Sequence, residues 1–383
     1  MVTLLPFFII LVAGILFSLL FARLHLPWVI AMIVAGIVVG PFGAGLFTPD
    51  ATFEFLGQVG LVFLMFMAGL ETRLSSFREF GKGILVLSLL SSLIPAVIGF
   101  TVMQVFSYDL NASILVGIIF ISSSIAVALP SMDEAGLLRT NLGKSTVAAV
   151  VVNDVMSLIL LSVFLQLVDP TAVVPLPLFY LGLVIVLFGL RWAIPEARAF
   201  MSRFGGAGNA FEKEVRSIVV ILLGTVALFE VLGVHPITAA FFAGLILSES
   251  IKSDELREKL HGLSYGVFIP VFFVTIGAQT NLALFFEARG ALELTIIIIL
   301  VSVVAKFFSG YIGARASGFD GTQGTVAGAA MIPQLSTTLA VVFTARALGL
   351  LDNQVQTALI ILSIVTTFVG PFLISRAAEK LVR

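Results

Sequence analysis

Thirteen times along its 383 residues this chain stays apolar for long enough to cross about 30 Å of hydrocarbon as a helix. The segments fall at approximately 4–21, 27–46, 54–72, 83–106, 112–130, 145–167, 173–194, 215–233, 236–250, 262–279, 291–313, 323–347 and 355–375. Lipid offers backbone N–H and C=O groups no water, so each segment must satisfy its own, and a helix does so. Composition agrees: 59% of residues are hydrophobic and 11% charged, against roughly 25% charged in a soluble domain. Mean hydropathy is +1.16. The first segment, Leu4–Leu20, lacks a basic leader and is too uniformly apolar for a cleaved signal, so it reads as a true span. The expectation is an all-α polytopic membrane protein with 13 transmembrane helices.

Several function classes drop out early. A net charge of −1 gives no field that would recruit nucleic acid. The absence of cysteine removes disulfides, thiolate metal sites and cysteine nucleophiles. The three histidines, His25, His235 and His261, fall at segment edges, which argues against a zinc or haem centre. No phosphate-cradling GxxxxGK[ST] motif is present, which disfavours an ATP-driven pump. No second intramembrane carboxylate or Ser/His partner accompanies Asp154, which disfavours a membrane protease.

Basic residues set the orientation. With the N-terminus outside, eighteen of the 21 lysines and arginines fall in inside connections, Arg289 and Arg346 fall outside, and Lys306 is intramembrane. The expected topology is N-out and C-in. Taking 171–196 as a linker helix leaves six spans on either side, a first repeat over 1–170 and a second over 212–383. One intervening helix gives the halves opposite orientation, as in inverted-repeat transporters. The chain ends soon after its last span, so no soluble C-terminal regulatory domain is expected.

The paired spans 112–130 and 323–347 both carry small polar clusters in mid-span, ISSSIAVALP at Ile121–Pro130 and AAMIPQLSTTLAV at Ala329–Val341. Pro333 lacks an N–H and crowds the preceding turn, so it should break its helix. Freed carbonyls and hydroxyls can then line a cavity, and interrupted helices at matching positions point to a midplane ion site. The bland alternative is that such clusters only let helices pack closely, which is the better account of Gly36 and Gly40, with a dimer interface as one place for that contact.

Two charges lie inside apolar runs: Asp154 in Ser145–Gln166 and Lys306 in Leu294–Ile312. A charge at the bilayer centre costs between about 3 and more than 10 kcal/mol and marks ion pathways and proton relays. A carboxylate there is not left bare. One proton or one monovalent cation neutralises it, and nearby oxygens suit Na⁺, K⁺ or Li⁺. That mutual exclusion yields coupled exchange. The competing reading makes Asp154 half of a static buried salt bridge. Asn153 cannot titrate and is expected to orient the carboxylate or cap a broken helix. Lys306 either pairs with Asp154 or lies at a negative half-helix end, and its role is either structural or a direct part in proton exchange.

The stretch SSSIAVALPSMDEAGLLRTNLGKSTVAAVVVNDVMSL and the later YGVFIPVFFVTIGAQTNL at Tyr265–Leu282 resemble the monovalent cation:proton antiporters, especially the bacterial sodium–proton and potassium–proton branch. The likeness covers nearly the whole chain. It implies inverted six-helix repeats with two crossing discontinuous helices, a homodimer, and a core ion-translocation domain that moves elevator-like against a dimerisation domain. It also implies an ion-binding carboxylate at Asp154 beside breaks at Ser122–Ser124 and Ser336–Thr338. Electrogenic members carry paired aspartates where this chain has Asn153-Asp154, and the asparagine form implies electroneutral exchange. Lys306 stands where electroneutral relatives often have arginine.

The site expected from both lines of argument is Asp154, Asn153, Ser122, Ser123 and Ser124, supported by Lys306, Ser336 and Thr337. Its function is 1:1 exchange of Na⁺ (or K⁺) for H⁺ in the inner cell membrane, serving pH homeostasis, with Asp154 as the shared site. The partners are lipid, cations and protons, and no cofactor is expected. The alternatives are a K⁺/H⁺ antiporter and a cation-coupled symporter of an organic anion.

Overall fold

The computed structural model describes residues 4–23, 28–71, 81–168, 189, 192, 196, 210–231, 236–251, 253–281 and 291–382. They form helices α1 (Leu4–Arg23), α2 (Trp28–Val39), α3 (Ala51–Glu71), α4 (Lys82–Val105), α5 (Leu110–Ile121), α6 (Ile125–Glu134), α7 (Asn141–Val168), α8 (Ala210–Val231) and α9 (Pro236–Ser250). After α10 (Asp254–Leu263) a π-helical turn, Ser264–Phe268, leads into α11 (Ile269–Ala278). The remaining helices are α12 (Ala291–Ala316), α13 (Gly321–Met331), α14 (Ser336–Ala347) and α15 (Asn353–Val382).

Nine helical stretches among the described residues are long and apolar enough to span a membrane, and α2 and α9 are shorter apolar helices. With α8 they match twelve of the thirteen expected segments in position. The thirteenth, 173–194, lies outside the described residues apart from 189 and 192, as does most of the expected linker 171–196. Also outside them are the basic residues Arg73, Arg78, Arg191, Arg198, Arg203, Lys252 and Arg289 of the connections.

Short polar side chains start the helices where the sequence supplies them. Asp109 accepts the Ala112 N–H ahead of α5, and Asp320 and Gln323 form a reciprocal capping box on α13. Asp352 accepts the Val355 N–H at 2.8 Å and opens α15.

The chain forms two compact units, each built from both halves of the sequence. Unit 1 comprises Met1–Leu20, Ala31–Ser75 and Ser162–Gln279; unit 2 comprises Phe21–Ile30, Ser76–Leu161 and Thr280–Arg383. Within unit 1, α3 packs on α9 and α11. Lipid tails are as apolar as leucine, so helix association there relies on close packing of small residues. Gly36 of α2 meets α11 so tightly that an added Cβ would lie 2.1 Å from the Val274 carbonyl, and one on Gly40 2.6 Å from Ala278 Cα. The small-residue motif seen in the sequence is therefore an internal contact of this chain.

Within unit 2, α4 packs on α5 and α12, and α15 touches α12, α13, α14 and α6. The apolar core joins Leu87, Met132, Val150, Val326, Met331 and Ile374. Helix α12 shows how lipid and a lysine coexist on one element. Leu292, Ile296, Leu300, Val304, Phe308 and Ile312, four residues apart, make an exposed apolar stripe. Ser302, Lys306 and Ser309 occupy buried positions of the same helix, each fully enclosed.

Candidate ion-binding site

Both polar clusters interrupt their helices. The first span stops at Ile121 and resumes at Ile125; the second stops at Met331 and resumes at Ser336. Pro333 explains the second break, as the sequence suggested. Pro130 breaks nothing and sits inside α6. The first interruption is instead made by Ser122, Ser123 and Ser124, of which Ser123 and Ser124 bond across to the other break. Ser124 N–H donates to the Pro333 carbonyl at 2.6 Å, and Ser123 Oγ donates to the Met331 carbonyl at 3.0 Å. Each break thus satisfies backbone groups that the other leaves open.

Asp154 lies on α7 against this junction and is 6% exposed. Its Oδ1 accepts from Ser122 Oγ at 3.0 Å. The Thr337 side chain and the Ser123 backbone N–H also bond to the carboxylate, and the Lys306 ammonium acts on it through its charge. Lys306, fully buried on α12, donates to the Ile121 carbonyl at 2.7 Å. That carbonyl is the last of α5, so the ammonium sits on the negative end of a half-helix. Of the two placements open from sequence, the direct bond made by Lys306 is this one.

Asn153 turns to α4 and to the sulfur of Met331, the last residue of α13. Adjacent residues on a helix diverge by about 100°, and its amide points at α4. Asn153 Oδ1 accepts from Ser92 Oγ at 2.7 Å, and Nδ2 donates to Ser91 Oγ at 2.9 Å. Ser124 Oγ and Thr338 Oγ1 are buried and make no hydrogen bond among the described residues. Ser336 begins α14 and is 8% exposed.

Four residues of the junction lie outside the site expected from sequence. Ser91 and Ser92 hold Asn153, Gln334 lies within the second break, and Thr366 on α15 bonds both backbone groups of Gln334 at 3.1 and 3.3 Å. The adjacent serines in the middle of α4, with Ser88 one turn earlier, were the available signal. Chemically, a buried carboxylate ringed by hydroxyl and backbone groups provides hard oxygen donors of the kind that suit small, weakly polarisable cations. It can also accept a proton.

Residues 7–380 match the family described as sodium/hydrogen exchanger, transmembrane. A probable Na⁺/H⁺ antiporter of Methanocaldococcus jannaschii is 32% identical over 372 residues, which is 96% of this chain and 95% of that protein. A Na⁺/H⁺ antiporter of Enterococcus hirae is 28% identical over 380 residues, 97% of each chain. The Na⁺/H⁺-K⁺ antiporter GerN of Bacillus cereus is 28% identical over 359 residues, 91% of this chain and 89% of its own. Among solved structures, the sodium proton antiporter MjNhaP1 of Methanocaldococcus jannaschii at pH 8 shares the fold, with a TM-score of 0.72 over 97% of both chains at 18% identity. With a family match that runs almost end to end, this chain belongs to the transmembrane sodium/hydrogen exchangers.

Proposed function

We propose that this protein is a secondary antiporter that exchanges one Na⁺, or K⁺, for one H⁺ across the cell membrane. The observation that carries the reading is Asp154: a buried carboxylate bonded by Ser122 exactly where two interrupted helices meet. An ionised carboxylate enclosed in a membrane protein is costly unless something compensates its charge. A proton and an alkali cation each do so, and one carboxylate hosts one of them at a time. The two loaded forms then carry equal charge, which makes the cycle electroneutral.

Asn153, neutral and bonded to Ser91 and Ser92 of α4, adds no second titrating group. The hydroxyls of Ser122 and Thr337 complete the oxygen shell, with Ser123, Ser124 and Ser336 lining the breaks. Na⁺ is favoured by the names of most relatives, and K⁺ stands beside it because GerN is named for both ions.

We read α4–α7 and α12–α15 as corresponding parts of two inverted repeats with crossing discontinuous helices. Unit 2 contains the site whole and would act as the carrier in elevator-type alternating access. A homodimer, an outward N-terminus, an inward C-terminus and the absence of any resident cofactor complete the proposal.

The test is pH-dye dequenching in proteoliposomes challenged with Na⁺, K⁺, Li⁺ or choline. Wild type should respond to Na⁺ or K⁺ and not to choline, at a rate unchanged when the membrane potential is clamped. Asp154→Asn should fold and be silent. Robust cation-driven proton flux in that variant would refute the role of Asp154, and a potential-dependent wild type would refute equal charge.

A further inference from the structure

The end of α5 leads directly into Ser122, one of the residues bonded to Asp154, so what fixes that end bears on the site. A helix leaves its last carbonyls without internal partners. Here Ile119 O accepts the Ser122 N–H at 3.2 Å and Ile121 O accepts from Lys306. The carbonyl between them, Phe120 O, accepts from Gln334 Nε2 at 3.5 Å. Gln334 reaches it from within the facing break.

The Gln334 amide is secured at its other end as well. Oε1 accepts from Ser302 Oγ of α12 at 3.3 Å, while the residue's own N–H and carbonyl are both engaged by Thr366 of α15. The side chain is fully buried. One residue therefore ties α5, α12 and α15 together immediately before Ser122. The position demands a group that donates on one side and accepts on the other, and a neutral amide meets that demand without adding charge.

We infer that Gln334 is a positioning residue that sets the cation affinity of the Asp154 site by holding the carboxyl end of α5, and with it Ser122, in register with the carboxylate. The inference rests on the antiport reading and deepens it. The charged groups at this junction are Lys306 on α12 and Asp154 on α7. Helices α4, α5 and α15 and both breaks present hydroxyl, amide and backbone groups there.

Two isosteric variants test it in Na⁺-driven proton-flux assays on proteoliposomes, with wild type alongside. Gln334→Met loses the donor and the acceptor. Its KM for Na⁺ should rise by about tenfold, with Vmax held near wild type at saturating Na⁺. Gln334→Glu provides its own control. When protonated the acid donates and accepts as the amide does, and KM should match wild type. Once ionised it turns a lone pair toward Phe120 O, and the ratio of its KM to that of wild type should climb with pH.

A methionine variant with wild-type KM, or a glutamate variant whose KM ratio is flat with pH, overturns the inference. Should the methionine variant fail to fold, the glutamate ratio alone decides. A wild type without exchange overturns the antiport reading, and this inference with it.

Discussion

Gly370→Ala is the most direct way to disturb the junction without touching any group that could bind an ion. Gly370 lies on α15, one turn beyond Thr366, and faces Pro333. A Cβ at this position would lie 2.3 Å from Pro333 Cγ and 2.7 Å from Cδ. Carbon atoms rest at about 3.5–4.0 Å, so the ring or the helix must retreat by about 1 Å or more. Neither yields easily, since the proline ring is rigid and Thr366 pins the next residue to the same helix. Overpacking of this kind costs about 1–3 kcal/mol.

The displacement passes onward, because the Pro333 carbonyl holds Ser124 N–H at 2.6 Å. A shift of about 1 Å in a positioned site can lower rates by about 100-fold, so turnover should fall at least tenfold and the detergent-solubilised protein should melt earlier. Gly224→Ala is the control, since nothing among the described residues lies within 4 Å of a Cβ there. A Gly370→Ala protein that melts with wild type and exchanges at the wild-type rate would show that the break tolerates displacement, and the reasoning would fail.

Ser92→Ala removes the hydroxyl that Asn153 Oδ1 accepts at 2.7 Å. A net loss of about 1 kcal/mol, roughly a fivefold change in apparent Na⁺ affinity, is expected; identical KM values in the two proteins would show that the α4 clamp is idle. Tyr108, between α4 and α5, gives a pH test. Burial, followed by the charge and hydrogen bond of Asp352, pushes its phenol up to about 12. The neutral form is thus favoured in the fold, so its contribution is complete below pH 10 and disappears as the pH climbs toward 12. The melting difference between wild type and Tyr108→Phe should be constant up to pH 10 and close above it, and a gap that persists at pH 12 would contradict the assignment.

The helices were legible because apolar length is a local property: a segment either reaches across hydrocarbon or does not. The second interruption was legible for the same reason, since the missing N–H of Pro333 belongs to that residue alone. Pro130 shows the limit of the rule, because a proline inside a membrane helix persists where neighbours satisfy the freed groups. What could not be read was partnership. Ser92 and Asn153 are 61 residues apart, Lys306 and Ile121 are 185 apart, and Gln334 and Phe120 are 214 apart. Nothing in the spacing of an apolar helix announces which turn will face which. Asn153 and Asp154 look like one motif in the sequence, yet helical rotation sends them to different neighbours. Gly36 and Gly40 illustrate the same gap, since their pattern calls for close contact without naming α11 as the surface.

The mooring of Lys306 to the terminal carbonyl of α5 has a consequence for traffic through the junction. A lysine bonded straight to the acid would have to be evicted each time an alkali ion arrived, and welcomed back each time it left. If Asp154 is the exchanging acid proposed above, Lys306 keeps its own berth on the Ile121 carbonyl while the acid changes tenants. In the proposed cycle, loading and unloading become a swap between two guests, with no third party to displace.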